Sequence, residues 1–317
     1  MSDVNFIIVN WNTRHLLTNC INSIYSTVAG FHYQIYVIDN GSNDDSVSVV
    51  RNQFPDVKII ENSENRGFAA AVNQALGENL ARYTVLLNTD SVLQKGAIHT
   101  LYTFMEQHGD SGMVGAQLIK PDGTRQHSYD NYPTLATELF NKSFLRIFFP
   151  HKYPSKKQVL NQPVEVESVI GACLMVRNET VKQVGRMDEN YFFFLEETDW
   201  CYRIRKAGWK IYHVPDAKVI HIGGESKKMA PWQSQVEYCR SLYIFFKKNG
   251  SGLSYIVLRI LYVMKIVLNL IANIIGNVFV LFQSRKQRYR LMIYSKLFWW
   301  HLLLCPDWMG LKPINKK

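Results

Sequence analysis

Four short apolar runs, each halted by a turn rich in Asn or Asp, most constrain how residues 1–125 can fold. Val4–Val9 is continuously apolar, as a strand buried on both faces requires, and stops at Asn10-Trp11-Asn12-Thr13. Ile35–Ile38 stops at Asp39-Asn40-Gly41-Ser42, Val57–Ile60 stops before Glu61-Asn62, and Tyr83–Leu87 stops at Asn88-Thr89-Asp90. Between the runs, Leu16, Leu17, Cys20, Ile21, Ile24 and Tyr25 fall on one face of a helix, and Phe68 to Ala81 is Ala-rich and helical. This β-α-β-α order predicts an α/β fold, a mostly parallel central sheet with helices on both sides. Ligands of such sheets bind beyond the carboxyl ends of the strands, the edge where the Asn/Asp turns gather. One such turn is explained by turn and cap preferences alone; four on one edge point to a site.

What is missing narrows the chemistry. No G-x-G-x-x-G follows the first run and no G-x-x-x-x-G-K-[ST] occurs, so a bound nucleotide would be held by side chains and a metal. The missing glycine fingerprint argues against an NAD-dependent oxidoreductase. A nucleotidyltransferase would share the sheet, but its first turn carries Gly, Arg and Lys, which Asn10-Trp11-Asn12-Thr13 lacks. The five cysteines, at 20, 173, 201, 239 and 305, form no C-x-x-C pair, which argues against a disulfide framework or structural zinc and for a reducing compartment. Asp3 and the strand-like Val4–Val9 are not a signal-peptide pattern. A length of 317 residues suits one large α/β domain with an appendage, or two small domains.

Seven motifs then occur in order: Ile8-Val9-Asn10-Trp11-Asn12-Thr13, Val37-Ile38-Asp39-Asn40-Gly41-Ser42, Asn65-Arg66-Gly67-Phe68-Ala69, Leu86-Leu87-Asn88-Thr89-Asp90, Gly171-Ala172-Cys173, Glu196-Glu197-Thr198-Asp199 and His221-Ile222-Gly223-Gly224. Over roughly residues 4–225 the chain thereby resembles the family 2 inverting glycosyltransferases of GT-A fold. Within them it looks most like bacterial rhamnosyltransferase-type enzymes of O-antigen or capsule synthesis. The resemblance implies a nucleotide-sugar donor. Asp39 would accept an imide N–H from uracil or thymine, although guanine also offers N–H donors and the base stays open. Asn10 and Thr13 would flank the base, and Arg66 would lie against the diphosphate or ribose. Gly67 would allow close backbone approach, with Asn40, Asn65, Asn73, Asn88 and Thr89 as further donor contacts.

Asn88-x-Asp90 occupies the place of the family's D-x-D. Residues i and i+2 of an extended segment face the same way, so two oxygens can meet one Mg²⁺ or Mn²⁺. Asn in the first position removes one negative charge and leaves Asp90 as the ligand, with His221 as the second by resemblance. In the acidic cluster the resemblance assigns the base to Glu197, where most relatives carry Asp. Glu196 and Asp199 are the alternatives, Asp199 in an orienting role. A helix dipole alone would also favour carboxylates in this first turn. The implied reaction is a single in-line displacement with inversion. Its best-matching donor is dTDP-L-rhamnose and its acceptor a polyprenyl-diphosphate-linked saccharide, and the missing Q-x-x-R-W favours addition of one sugar. The loop 125–165 would select the sugar. The alternatives are a UDP-sugar of galactose or N-acetylglucosamine and, in a different class, a non-catalytic membrane-associated scaffold.

Charge divides the chain. Residues 1–150 carry a net −4, residues 151–250 a net +5, and residues 251–317 a net +9 with a single Asp. A basic tail on a near-neutral body points to anionic lipid rather than nucleic acid. The expected division is therefore a glycosyltransferase domain, 1–250, and membrane-association helices, 251–317. Leu253 to Phe282 is strongly apolar and residues 266–284 are uncharged, near the length that spans a bilayer. Yet Lys265, Asn269, Asn273 and Asn277 recur every four residues as a polar stripe, followed by the basic Arg285 to Arg290 and by Trp299-Trp300. That pattern favours a helix lying in the membrane surface on the cytoplasmic side of a bacterial inner membrane. A spanning or re-entrant helix and a homo-oligomer contact are the other readings.

Overall fold

The structure is a computed structural model that describes residues 3–77, 81–140, 142–150, 160–223 and 230–312. Gly224 of the His221 motif and residues 151–159 of the 125–165 loop lie outside the described residues. The first apolar run forms β1 (Val4–Asn10), paired in parallel with β2 (Tyr33–Asp39) on one side and β4 (Tyr83–Leu87) on the other. Outside β2 lies β3 (Lys58–Glu61), also parallel. The crossovers are α1 (Arg14–Thr27), α2 (Ser46–Gln53) and α3 (Phe68–Gly77).

Period-two alternation along β1 splits the core into two layers. Phe6 and Ile8 pack with Leu17, Cys20, Ile21 and Ile24 of α1, whereas Ile7 packs with the alanines of α3. Tyr25, on the edge of the expected α1 face, is exposed and stacks on Phe54, so that stripe is narrower than its periodicity suggests.

The later elements are β5 (Ser91–Leu93), α4 (Ala97–Gln107), β6 (Ser111–Ile119), β7 (Tyr129–Asp130), α5 (Leu135–Leu139) and α6 (Lys142–Phe148). They are followed by β8 (Val164–Glu165), β9 (Ser168–Val169), β10 (Cys173–Arg177), α7 (Asn178–Val184), α8 (Glu196–Lys206) and β11 (Lys210–His221). The main sheet runs β3-β2-β1-β4-β10-β6-β11-β5, with β8 on β11. The α/β fold with a helix-flanked sheet is as expected. Parallel pairing, however, holds through β3-β2-β1-β4 and the β6–β11 pair, while β10 is antiparallel to both β4 and β6. Cys173 faces Leu87 in this register, so the residues entering β10 arrive at the edge where β4 ends. That reversal adds Gly171-Ala172 to the edge carrying the Asn/Asp turns.

Packing divides the chain into two compact units. One is formed within Met1–Tyr132, Ser155–Glu189 and Glu196–Gly223, the other within Pro133–Pro154, Asn190–Leu195 and Gly224–Lys317. This differs from a division at residue 250. Charge and hydropathy follow the chain, whereas packing joins segments that are far apart in it.

In the second unit the helices are α9 (Pro231–Asn249), α10 (Gly252–Phe279) and α11 (Arg285–Leu302), then a single 3₁₀ turn at Asp307–Met309. Ser251 and Ser284 cap α10 and α11 by accepting from the N–H groups of Ser254 and Gln287, and Pro231 opens α9. Buried Glu237 accepts from Arg240 at 2.7 Å and from the Leu311 N–H at 3.2 Å, which pins the last turn to α9. The Asn stripe of α10 serves its own helix: Asn269, Asn273 and Asn277 each donate to the carbonyl four residues earlier, at 2.7 Å. On α10, Leu253, Ile256, Ile260, Met264, Leu268, Ile271, Ile275 and Phe279 stand exposed, with Phe279 at 83%. By length and composition α10 could cross a membrane.

Candidate active site

The first strand end is closed by its own side chains. Asn10, fully buried, donates to Asp39 Oδ1 at 2.7 Å and to Ser42 Oγ at 3.1 Å, while its side-chain Oδ1 accepts from Thr13 Oγ1 at 2.7 Å. Ser42 N–H occupies the other Asp39 oxygen at 2.9 Å. Asp39 is only 3% exposed, so its first task is to join the ends of β1 and β2. Thr13 also reaches Thr89 at 3.0 Å, which connects the first turn to the turn after β4. Gly41 sits at φ 74°, and a Cβ there would come within 3.0 Å of the Glu64 backbone, so glycine is required.

The next turn extends the network. Asn40 donates to Gly67 O at 3.1 Å and to Asn65 Oδ1 at 3.3 Å, and it accepts from Asn62 at 2.9 Å. Asn65 Oδ1 also receives the Gly67 N–H at 2.9 Å. Arg66 stands exposed beside this turn, with no ion pair among the described residues. Asn73 turns elsewhere. Its amide donates to Met187 O and Glu189 Oε1, both at 2.9 Å, and accepts the Met187 N–H, which ties α3 to the segment after α7.

Asp90 and His221 are brought together by strand register. Ser91 of β5 lies opposite His221 of β11, so Asp90, one residue earlier, meets the imidazole, with Oδ1 3.5 Å from Nε2. The Gly223 N–H donates to Asp90 Oδ2 at 3.1 Å. Gly223 has φ 71°, and a Cβ would come to 3.2 Å from the His221 ring. The ring is held by Gln126, a residue that no sequence motif singled out. The Gln126 amide nitrogen hydrogen-bonds the main-chain oxygen of His221, which can only accept. That turns Gln126 Oε1 towards His221 Nδ1, 2.9 Å away, and assigns the proton of the neutral ring to Nδ1. In that neutral tautomer the Nε2 lone pair faces the Asp90 carboxylate oxygen.

A cation fits between two such acceptors. Carboxylate and diphosphate oxygens suit Mg²⁺ or Mn²⁺, and an imidazole nitrogen inclines the set towards the transition ion. No group of three or more His, Cys, Asp or Glu side chains arranged for a metal occurs among the described residues, so such an ion would share its coordination with a bound diphosphate.

The acidic cluster opens α8, with Glu196, Glu197 and Asp199 in its first turn and Arg203, Arg205 and Lys206 in its last, as the helix dipole favours. Phe194 and Leu195, immediately before it, have φ of 70° and 64°, left-handed backbone that costs non-glycine residues about 1–3 kcal/mol each. The three carboxylates have different surroundings. Asp199 is fully buried and accepts from Arg203 Nε at 2.9 Å, while the rest of that guanidinium binds the carbonyls of Val184 and Arg186. Glu196 is buried. Glu197 is half-buried, and its Oε2 has no hydrogen-bond partner among the described residues. Burial pushes the Glu197 carboxyl above its ordinary range, against the opposing pull of the Gly171 and Thr198 N–H groups.

Gly171-Ala172 joins this carboxylate to the Asp90 turn. The Gly171 Cα faces Glu197, since a Cβ there would lie 3.6 Å from Glu197 Cγ. The Ala172 carbonyl accepts the Asn88 N–H at 3.0 Å and the Ser91 hydroxyl at 3.1 Å. A desolvated carboxylate is therefore connected, through Gly171-Ala172, to the turn that carries Asp90.

Comparison with known proteins adds the following. The sequence profile of glycosyl transferase family 2 matches residues 5–185. The chain is 29% identical over 233 residues to an N-acetylglucosaminyl-diphospho-decaprenol L-rhamnosyltransferase of Mycobacterium tuberculosis, covering 69% of this chain and 76% of that protein. It is 24% identical over 262 residues to the dTDP-rhamnosyl transferase RfbF of Shigella flexneri, covering 78% of this chain and 81% of that one. A solved mannosyltransferase, PcManGT from Pyrobaculum calidifontis in complex with GDP-Man and Mn²⁺, superposes with a TM-score of 0.58 at 14% identity, over 95% of this chain and 88% of that one. That likeness shows the GT-A fold.

Proposed function

The chain belongs to glycosyl transferase family 2, and from that premise we propose that it transfers L-rhamnose from dTDP-L-rhamnose to a hydroxyl of a polyprenyl-diphosphate-linked saccharide, with inversion at the anomeric carbon. Two relatives support the donor and the acceptor by name, since one uses a decaprenol-linked N-acetylglucosaminyl acceptor and both are rhamnosyl transferases. The observation that carries the mechanism is Glu197, a desolvated carboxylate linked through Gly171-Ala172 to the Asp90 turn.

In this reading Glu197 accepts the proton of the acceptor hydroxyl as that oxygen forms its bond to the anomeric carbon. The bond from the anomeric carbon to the diphosphate breaks on the opposite side and dTDP leaves. A base held above the ordinary carboxylate range is a better proton acceptor, and such catalysis contributes about 10²–10⁴-fold. Asp90 and His221 would hold a divalent ion, with Gln126 fixing the imidazole; when bound, the ion supplies positive charge for the leaving diphosphate. The first turn and Asp39 would receive the base through the capacity left after their mutual hydrogen bonds, and exposed Arg66 is available to the diphosphate. Glu196 and Asp199 support the helix that carries Glu197.

The tail, 251–317, would attach the enzyme to the cytoplasmic face of the inner membrane, where a polyprenyl-linked acceptor resides. The exposed apolar stripe of α10 with a polar stripe behind it favours a helix lying in the surface.

The test is transfer to synthetic polyprenyl-diphosphate N-acetylglucosamine from dTDP-L-rhamnose, UDP-galactose, UDP-N-acetylglucosamine and GDP-mannose, each with Mn²⁺ or EDTA. The expected result is product from dTDP-L-rhamnose alone, metal-dependent, with inverted configuration by NMR. Transfer only from a UDP-sugar overturns the donor. Retention of configuration overturns the single-displacement mechanism.

A further inference from the structure

Helix α6 and its neighbours face outward with the wrong side chains for water. Phe144, Ile147 and Phe148 recur at i, i+3 and i+4 on one face of α6, and Phe140, the extended residue that ends α5, joins them; all are exposed, Ile147 at 74% and Phe148 at 62%. Phe149 is exposed as well, while Leu145 turns inward and is buried. The rings form a ladder, with centroids 6.2 Å apart from Phe140 to Phe144 and 5.2 Å from Phe144 to Phe148. Soluble monomers rarely expose so continuous an apolar face without a partner.

The ladder belongs to the unit that contains the tail. Glu138, at the end of α5, accepts from Lys265 of α10 through its main-chain oxygen at 2.8 Å and from the Tyr238 hydroxyl of α9 through its carboxylate, at 3.3 Å at the shorter contact. The one charged member of the α10 polar stripe is thus spent on anchoring the segment that leads into the ladder.

Charge selects the occupant. Between Glu138 and Glu165 the chain carries five Lys or Arg and no acid, the same character as the tail with its net +9. Exposed aromatic rings in a stretch of sequence that is net positive suit the headgroup region of an anionic bilayer. A second copy of the chain would set this positive segment against itself, because a two-fold contact pairs each patch with its own image. We propose that Phe140, Phe144, Ile147 and Phe148 form a second membrane contact, lodging these side chains in an anionic bilayer together with the tail. This rests on the reading of the tail as membrane-attached.

The experiment is co-sedimentation of the full chain with vesicles of mixed phosphatidylglycerol and phosphatidylcholine, and of phosphatidylcholine alone. It compares wild type, Ile147→Glu/Phe148→Glu and, as a tail control, Phe279→Glu/Leu281→Glu. The expected result is tight binding of wild type to the anionic vesicles and weakening by about tenfold or more in both variants, because each loses apolar burial and gains negative charge. Circular dichroism and melting temperature should stay at wild-type values. If only the tail variant weakens, the second contact is wrong and the tail attachment survives. If wild type binds neither vesicle, the membrane reading itself falls and this inference with it. If the 147/148 variant only converts a dimer to a monomer in sedimentation velocity, the face is a contact between copies and the proposal is overturned. Phe148→Ser provides the same reading in smaller steps should the double variant fail to fold.

Discussion

At the strand ends of the first unit, Asn10, Asp39, Asn40 and Thr13 are polar and largely withdrawn from water, and they satisfy one another. Along α6 and α10 of the second unit, Phe148, Ile260 and Phe279 are apolar and stand in water. Both arrangements reverse the ordinary rule, and they differ in where the compensation lies. Buried polar groups must find partners inside the chain, because leaving one unpaired costs about 1–3 kcal/mol. Exposed apolar groups cost nothing comparable to fold but leave association energy unspent. The first region is preorganised before a ligand arrives; under the proposed attachment the second would be completed by the bilayer.

The sharpest way to break that comparison is at Glu197, the half-buried carboxylate without a partner for Oε2. Glu197→Gln should lose about 10²–10⁴-fold in initial transfer rate while still binding donor. Its stability should move the other way. Burial raises the folded pKa above the unfolded one, so this group's favourable contribution is present below the unfolded pKa and lost as pH rises through the folded value. Glutamine does not ionise, so the variant's melting temperature should match wild type in acid and equal or exceed it at neutral pH. Full activity in this variant would remove Glu197 from the role of base.

His213, fully buried in β11, tests the interior of the first unit through pH. Burial and the charge of Arg125 push its pKa down to about 4, from an ordinary 6.5. A depressed folded pKa means stability that is complete above the unfolded value and lost as pH falls towards the folded one. Between pH 6.5 and 4 this group should withdraw up to about 3 kcal/mol, read as a falling urea midpoint. His213→Phe should flatten that slope; an unchanged slope would place the acid sensitivity elsewhere.

Gln126 sharpens the claim that the polar edge is organised in advance. Gln126→Leu should weaken Mn²⁺ binding, measured by electron paramagnetic resonance of the free ion, by about 10–100-fold. Gln126→Glu, which keeps an acceptor for Nδ1, should restore part of it. Equal Mn²⁺ affinity in all three proteins would make the glutamine a packing residue only.

The smallest effect is expected in the other region. Phe279→Ser should change the melting temperature of the lipid-free protein by an amount equivalent to no more than about 0.5 kcal/mol. Asn10→Ala, which takes partners from Asp39 and Thr13, should cost about 1–3 kcal/mol. Equal losses from the two substitutions would erase the contrast between the regions.

Much of this was legible in the chain. Val4–Val9 had to be a doubly buried strand, and the acidic cluster does sit in the first turn of a helix, α8. The Asn/Asp turns do gather on one edge. Gln126 was not legible, because an uncharged residue between Arg125 and His127 belongs to no pattern until the fold brings His221 against it. Nor was the aromatic face of α6: a short Phe-rich segment reads equally as core, and only its packing shows Leu145 inside and the phenylalanines outside.

By itself the sequence determined the α/β alternation, the family, the acidic cluster and the basic tail, because periodicity, turn chemistry and charge act over a few residues along the chain. Tertiary structure alone decided which of those residues meet. The reversal of β10 delivers Gly171-Ala172 between Asn88 and Glu197, and the β5–β11 register sets Asp90 beside His221. Gln126 then closes on that histidine from 95 positions away. No local preference can specify such meetings, because they follow from the one arrangement of strands that buries both faces of the sheet at once.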